Sequence, residues 1–174
     1  MTSHRHAYLA IAACLVAIVP TVAVGQTALT YAAPSGWLAA EPSSSMRVAE
    51  FTLPRVAPDQ DDGSAVIYYF QGAGGAVQEN LDRWAAQIRS VGESTTTSFE
   101  VDGMPVTVID ISGTYVADVG PGSPDRYDEP EHRLIAAVIE TVGGPFFLEI
   151  VGPKGTIERW SDSVRAFIDT MRFE

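Results

Sequence analysis

Apolar residues follow two different periods along this chain, and each period predicts one kind of secondary structure. Residues 46–53 largely alternate between apolar and polar side chains, and residues 65–70 are β-branched or aromatic, so both segments are predicted to be strands. Apolar residues three or four positions apart predict a helix over residues 76–90 and a last helix that Thr156 caps.

Two glycine turn signals predict two further hairpins. Asp102-Gly103 and Gly143-Gly144 each fit a two-residue turn. The strands that flank them are predicted at residues 95–101, 104–115, 133–142 and 145–151. The order β-β-α-β-β-β-β-α then predicts an α+β fold, an antiparallel sheet of about six strands sandwiched by two amphipathic helices.

The first 25 residues have the pattern of a secretory signal peptide. A basic start at Arg5 precedes an apolar run over residues 7–19, which is too short to span a bilayer comfortably. Small residues at Ala23 and Gly25 favour cleavage before Gln26. We therefore expect an exported protein, periplasmic or secreted, with an uncleaved membrane anchor as an open alternative.

The only cysteine, Cys14, lies within this apolar run and ends a sequence that resembles a lipobox. Because the apolar run continues well past Cys14, we favour ordinary cleavage over lipoprotein anchoring. The chain then divides into a signal peptide at 1–25, an extended lead-in at 26–45 and a single α+β domain at 46–174. A mature chain without cysteine has no disulfide, thiolate metal site or cysteine nucleophile.

The charge of the chain limits its partners. It carries 22 acidic residues against 11 basic ones, a formal net charge of −11. Such a field repels phosphate backbones and anionic lipid, so nucleic acid is not an expected partner. Solubility is the plainer interpretation of the same charge. No second apolar segment is long enough to span a membrane, and no cofactor is predicted.

His132 is the only histidine after the predicted signal peptide, and it follows a long loop rich in proline, glycine and acidic residues, predicted at 118–132. Loops of this length usually indicate function or mobility. With Asp128 and Glu131 nearby, His132 could join a mixed metal site or act as a general base. A solvated loop histidine is the interpretation we favour.

The acidic loop before the second strand, with Asp59, Asp61 and Asp62, resembles a calcium-binding loop. An EF-hand would need glutamate at its twelfth position, where Phe70 stands, so only a looser divalent-cation site stays open. We favour a solvated acidic loop.

Asp110 interrupts an otherwise apolar strand and is therefore expected either to face water or to pair with a basic residue. Arg47 and Arg83 are the expected partners, in a pair that supports structure rather than chemistry.

Three stretches of the chain resemble a group of small exported bacterial proteins of unassigned activity. They are MRVAEFTLP at 46–54, GGAVQENLDRWAAQ at 74–87 and GPKGTI at 152–157. The element order over residues 35–173 also resembles the PsbP-type α/β/α sandwich. The resemblance implies helices on both faces of an antiparallel sheet and, as in its best-known members, a non-enzymatic accessory or protein-binding role.

Within the second stretch, Asn80, Arg83 and Gln87 lie on one side of the predicted helix. They either bind a partner peptide or tie the helix to neighbouring loops, and we favour the tie. Across the whole chain we favour an extracytoplasmic binding or accessory module, without enzymatic activity, whose partner is another exported protein. The alternatives are a small-ligand or divalent-cation binding protein and a small hydrolase that uses His132 and nearby carboxylates.

Overall fold

This computed structural model describes residues 29–120 and 122–174. Within them the chain forms ten strands and two helices, joined by loops. The predicted signal peptide, its cleavage site and Cys14 lie outside these residues. The strands are β1 (Leu29–Thr30), β2 (Leu38–Ala40), β3 (Arg47–Leu53), β4 (Gly63–Tyr69), β5 (Ile88–Arg89), β6 (Ser94–Val101), β7 (Met104–Tyr115), β8 (Glu129–Ile139), β9 (Phe146–Pro153) and β10 (Arg172–Phe173), and the helices are α1 (Val77–Ala85) and α2 (Lys154–Asp169). Neither helix has the length and apolar character that a membrane crossing requires.

The main sheet is antiparallel, as the hairpin signals predicted, and contains eight strands rather than about six. Its order is β2-β3-β4-β9-β8-β7-β5, and β6 also pairs with β7. The six predicted strands are all present. The added strands, β2 and β5, have three and two residues, too few for a period to show in the sequence.

The predicted extended lead-in supplies two strands. Its first, β1, pairs with β10 in a separate two-stranded sheet, and its second, β2, pairs with β3 at the edge of the main sheet. The beginning and the end of the described chain are therefore joined by backbone hydrogen bonds.

Three element boundaries differ from the prediction. The first helix ends at Ala85 instead of residue 90, because Ile88 and Arg89 pair with β7. In the second hairpin Ile139 pairs directly with Phe146, so the connection spans residues 140–145 rather than two glycines. The long loop ends sooner than predicted, because β8 begins at Glu129.

The start of the last helix also differs. Thr156 is not the capping residue, because α2 begins at Lys154 with Pro153 in the cap position. The Asp59 carboxylate accepts hydrogen bonds from the backbone nitrogen and the hydroxyl of Thr156, both at 2.7 Å. A side chain distant in sequence thus satisfies a free N–H group in the first turn of this helix.

The two faces of the sheet carry separate apolar cores, each with one helix. Alternate residues of β8 point to opposite faces. Leu134, Ala136 and Val138 pack towards Leu81 and Trp84 of α1, whereas the intervening Ile135, Ala137 and Ile139 belong to the core that contains Ile157 and Phe167 of α2. The predicted sandwich is thereby confirmed.

The first helix is short compared with the sheet that it covers. Its nine residues span roughly 13 Å at 1.5 Å per residue. The sheet is seven strands across, because β5 and β6 both pair along the same edge of β7. Strands spaced about 4.8 Å apart make it roughly 29 Å wide. A large part of the face on which α1 packs is therefore left without a helix.

Candidate functional site

A groove with a volume of about 920 Å³ occupies the uncovered part of the α1 face. Strand alternation determines its floor: Val66 of β4 pairs with Glu149 of β9, so both side chains point to the same side. The side chains that define the site, called the tyrosine groove below, are Tyr68, Gln87, Tyr115, Tyr127, His132 and Glu149.

Glu149 is the half-buried carboxylate of the tyrosine groove. The indole nitrogen of Trp84 donates a hydrogen bond to its Oε2 at 2.9 Å. Burial raises the pKa of Glu149 above its usual value, because the hydrogen bond from Trp84 and the charges of Arg83 and Arg47 offset the loss of hydration only in part. The floor of the groove thus holds a hydrogen-bond acceptor that water solvates poorly.

Aromatic rings form one wall. The Tyr115 ring lies 5.4 Å from that of Tyr127 and is stacked on the imidazole of His132 at 6.2 Å. Burial raises the pKa of Tyr115, and the nearby charge of Glu149 raises it further. Tyr115 therefore keeps its proton and presents a neutral ring beside the carboxylate.

Tyr68 lies on the strand next to Glu149, and an arginine already covers its ring. A β-bulge between Arg47 and Ala49 brings the Arg47 side chain to this face, where its guanidinium carbon lies 5.4 Å from the Tyr68 centroid. Arg47 also forms a 3.0 Å salt bridge with Glu50. Burial and the charge of Glu149 both raise the pKa of Tyr68.

Gln87 contributes a second acceptor. It follows the end of α1 and lines the tyrosine groove. Its side-chain oxygen is buried and accepts no hydrogen bond from the residues that the structure describes. A buried acceptor without a donor costs about 1–3 kcal/mol. Because the protein encloses this oxygen, a ligand can donate to it only after the Gln87 side chain turns towards the groove.

The structure separates the three helix residues that were predicted as a set. Asn80 is buried, and its amide nitrogen donates to the carbonyls of Gly74 at 2.8 Å and Ala76 at 2.9 Å, which ties the helix to the loop that precedes it, residues 72–76. Arg83 is exposed and lies over the Trp84 ring at 5.6 Å. Of the three, Gln87 lines the tyrosine groove.

His132 also lines the tyrosine groove, but the two acids predicted beside it do not meet it there. Its Nδ1 lies 3.0 Å from the carbonyl oxygen of Pro130. Asp128 is exposed and forms an ion pair with Arg89. Glu131 is exposed and lies at a β-bulge of β8, where its φ is 51°, and it does not line the groove.

The three loop aspartates do not form one cluster of ligands. Asp59 binds Thr156 at the start of α2, while Asp62 accepts a hydrogen bond from the backbone of Arg55 at 2.9 Å. Asp61 and Asp62 line one end of the tyrosine groove. Across residues 29–120 and 122–174, no three His, Cys, Asp or Glu side chains are close enough to hold a metal ion.

Asp110 pairs with a different arginine from those predicted. Arg133 donates to both of its oxygens, at 2.8 and 2.6 Å, and this hydrogen bonding raises the pKa of Arg133. The predicted partners, Arg47 and Arg83, lie on the other side of the sheet. Asp110 points to the α2 face, where Arg133 of the neighbouring strand is directed as well.

The sequence interpretation missed four of the six residues that define the tyrosine groove: Tyr68, Tyr115, Tyr127 and Glu149. Glu149 had a detectable signal, because it is the one charged residue in the otherwise apolar stretch 146–151. Tyr68 and Tyr115 had none, because an aromatic residue in a strand is ordinarily a core residue. Tyr127 had none either, because it lies in the long loop, where no period marks the side chains that face a site.

Neither a protein-family model nor a curated protein sequence matches this chain. Among solved structures, a Pseudomonas aeruginosa protein of unknown function, PA94, is 13% identical, with 86% of this chain and 85% of that chain covered and a TM-score of 0.49. Cyanobacterial PsbP (CyanoP) from Synechocystis sp. PCC 6803 is 12% identical, with coverages of 90% and 99% and a TM-score of 0.46. The PsbP-type resemblance predicted from the sequence is thus found among solved structures, and at this identity it concerns the fold alone.

Proposed function

We propose that this chain is an exported, non-enzymatic binding module and that the tyrosine groove is the surface on which its partner docks. The observation that carries the proposal is the part of the α1 face that the helix leaves uncovered, where Tyr115, Gln87 and Glu149 line one groove. Aromatic rings next to a few directed polar groups are typical of binding sites.

The geometry around His132 favours binding over the hydrolase alternative. A histidine that acts as a general base is usually oriented by a carboxylate. Here the Nδ1 atom of His132 faces the Pro130 carbonyl oxygen, while Asp128 is paired with Arg89. The imidazole is stacked on Tyr115, as expected of a wall residue.

A bulky side chain on the groove floor tests the docking surface. Ser64 is exposed and lines the groove, so Ser64→Trp should block it. Thr96→Trp is the matched control, because Thr96 is an exposed strand hydroxyl outside the groove. The full-length chain, tagged at its C-terminus, is produced in its host and cross-linked in the envelope, and the captured proteins are identified by mass spectrometry.

We expect one partner that the wild type and Thr96→Trp capture and that Ser64→Trp loses. Capture of the same partner by all three proteins would place the contact elsewhere and contradict the proposal. If no captured protein is enriched over a mock preparation, the result contradicts a protein partner and favours the small-ligand alternative.

The same preparation tests export. Intact mass and N-terminal sequencing should give a chain that begins at Gln26, recovered from the envelope or the medium. A lipid-modified chain that begins at Cys14 would support the lipoprotein alternative. An intact chain found in the cytosol would contradict export.

A further inference from the structure

We infer that the tyrosine groove binds the guanidinium group of an arginine carried by an extended segment of the partner protein. This inference rests on the proposed function and names the chemistry of the ligand. Four features of the groove lead to it: its free acceptors, its aromatic wall, its charge and its volume.

The polar groups at the base of the groove are acceptors that would gain from a donor. Glu149 accepts one hydrogen bond, from Trp84, among the described residues. Oε1 of Gln87 accepts none, and it becomes available to a ligand when the Gln87 side chain turns towards the groove. Guanidinium is a planar group with five N–H donors and no acceptor, so it can satisfy two acceptors together. A carboxylate-bearing or phosphate-bearing ligand would instead meet the Glu149 charge.

The aromatic wall suits a cation. A guanidinium is attracted to the face of a tyrosine ring and stacks on it. This groove already contains one example, since the Arg47 guanidinium lies over Tyr68 and is held by Glu50. On the other wall, no arginine or lysine among the described residues lies over Tyr115 or Tyr127. Tyr115 already packs against His132 and Tyr127, so the exposed Tyr127 is the ring of this wall that a cation can reach.

The rim of the groove is acidic. Beyond Glu149, the lining includes Asp61, Asp62, Asp118 and Glu129, with Arg47 as its one arginine. Asp62 and Asp118 form exposed salt bridges with Arg55 and Arg126, whereas Asp61 and Glu129 form none among the described residues. The whole chain carries a net charge of −11. A cleft lined by one sign of charge raises the local concentration of ions of the opposite sign, so a basic segment is attracted before contact.

The volume of the groove is sufficient for an arginine together with its neighbours in a peptide. At about 920 Å³ it lies near the upper end of the roughly 300–1,000 Å³ typical of small-molecule sites. One arginine side chain leaves room for its flanking residues, which would cover the outer part of the wall at Tyr127.

Peptide binding tests the inference on the protein as purified from its host. The probe is acetyl-Ala-Ala-Arg-Ala-Ala-amide, compared by calorimetry with the peptide that has citrulline in place of arginine, and with free arginine amide. Citrulline keeps the shape of the side chain and removes its charge. We expect the arginine peptide to bind at least about tenfold more tightly than the citrulline peptide.

Glu149→Gln tests the carboxylate at the base of the groove. It should weaken the arginine peptide by about tenfold and leave the citrulline peptide nearly unchanged. Glu158→Gln is the control, because it removes one exposed carboxylate from α2, on the other face. Its effect should be less than about twofold, as expected for a distant, screened charge.

Three results would overturn the inference. Equal binding of the arginine and citrulline peptides, or no binding of either, would rule out the guanidinium. Equal losses in Glu149→Gln and Glu158→Gln would show an effect of net charge instead of a site. Free arginine amide that binds as tightly as the peptide would identify a small amine as the ligand. If any of these occurs while Ser64→Trp still abolishes partner capture, the inference fails and the proposed function stands.

Discussion

Glu149 shows at the scale of one residue how burial and function are linked. A carboxylate in a strand otherwise occupied by apolar residues loses hydration when the sheet forms, and one hydrogen bond from Trp84 replaces that hydration only in part. A ligand that donates hydrogen bonds would complete the compensation. The residue that costs stability in the free protein is therefore the one expected to contribute most to binding.

The raised pKa of Glu149 predicts a stability that depends on pH. Unfolded glutamate has a pKa of about 4.3, so between that value and the raised value the folded protein binds more protons. Stability contributed by this residue therefore falls as pH rises through that interval. Glu149→Gln removes the effect, so the variant should gain stability relative to the wild type between pH 4 and pH 7.

Urea unfolding at the two pH values measures this difference, with Glu158→Gln as the control for a surface carboxylate. An equal change in both variants would contradict the assignment to Glu149.

At the scale of elements, the start of α2 depends on a loop that lies far away in the sequence. Thr156 in the first turn donates twice to Asp59, and Thr156 itself is fully buried. The acidic loop was interpreted from the sequence as a solvated segment or a divalent-cation site. In the structure, one of its aspartates has the role of a helix cap, which depends on tertiary contact.

We predict that Asp59→Ala lowers the free energy of unfolding by about 1–2 kcal/mol, because it leaves donors of Thr156 without a partner. Asp61→Ala, in the same loop, should change it by less than about 0.5 kcal/mol, as is usual for a surface residue. Denaturant unfolding of the two variants provides the comparison. If Asp59→Ala and Asp61→Ala have the same free energy of unfolding, the hydrogen bonds from Thr156 to Asp59 contribute nothing to stability.

At the scale of the whole molecule, the lead-in packs against both the sheet and the last helix. The ring of Trp37 lies 5.7 Å from Phe51 of β3 and 5.1 Å from Phe167 of α2, and its indole nitrogen donates to Ser163 at 3.1 Å. Tyr31 packs on the same Phe167 ring at 5.3 Å. Residues 29–45 therefore contribute to the core beneath α2.

Trp37→Ala should lower the free energy of unfolding by about 3–5 kcal/mol, the range for removing a large buried aromatic side chain. The neighbouring Leu38 is 57% exposed, so Leu38→Ala should have an effect below about 0.5 kcal/mol. Thermal and urea unfolding measure both variants. If Trp37→Ala and Leu38→Ala have similar free energies of unfolding, the lead-in does not contribute to the stability of the domain.

Local patterns were sufficient for the elements that form both cores. Two periods report which face of an element is buried: the helical spacing of Leu81 and Trp84, and the alternation in β3. The Asp102-Gly103 turn adds the pairing of β6 with β7. Together they predict the antiparallel sheet with a helix on each side. Short strands such as β5 could not be found in this way, because their pairing partner is distant in sequence.

The sequence by itself therefore determined the class of fold, the approximate positions of its six long strands and two helices, and the acidic charge. Tertiary structure decided which polar residues come together: Arg133 bonds to Asp110, Thr156 bonds to Asp59, and Gln87 and Glu149 line the same groove. The physical reason is that hydrophobic periodicity is local, whereas a site depends on strand order, on register and on where a short helix ends. Those properties place side chains more than 60 positions apart in sequence on one surface.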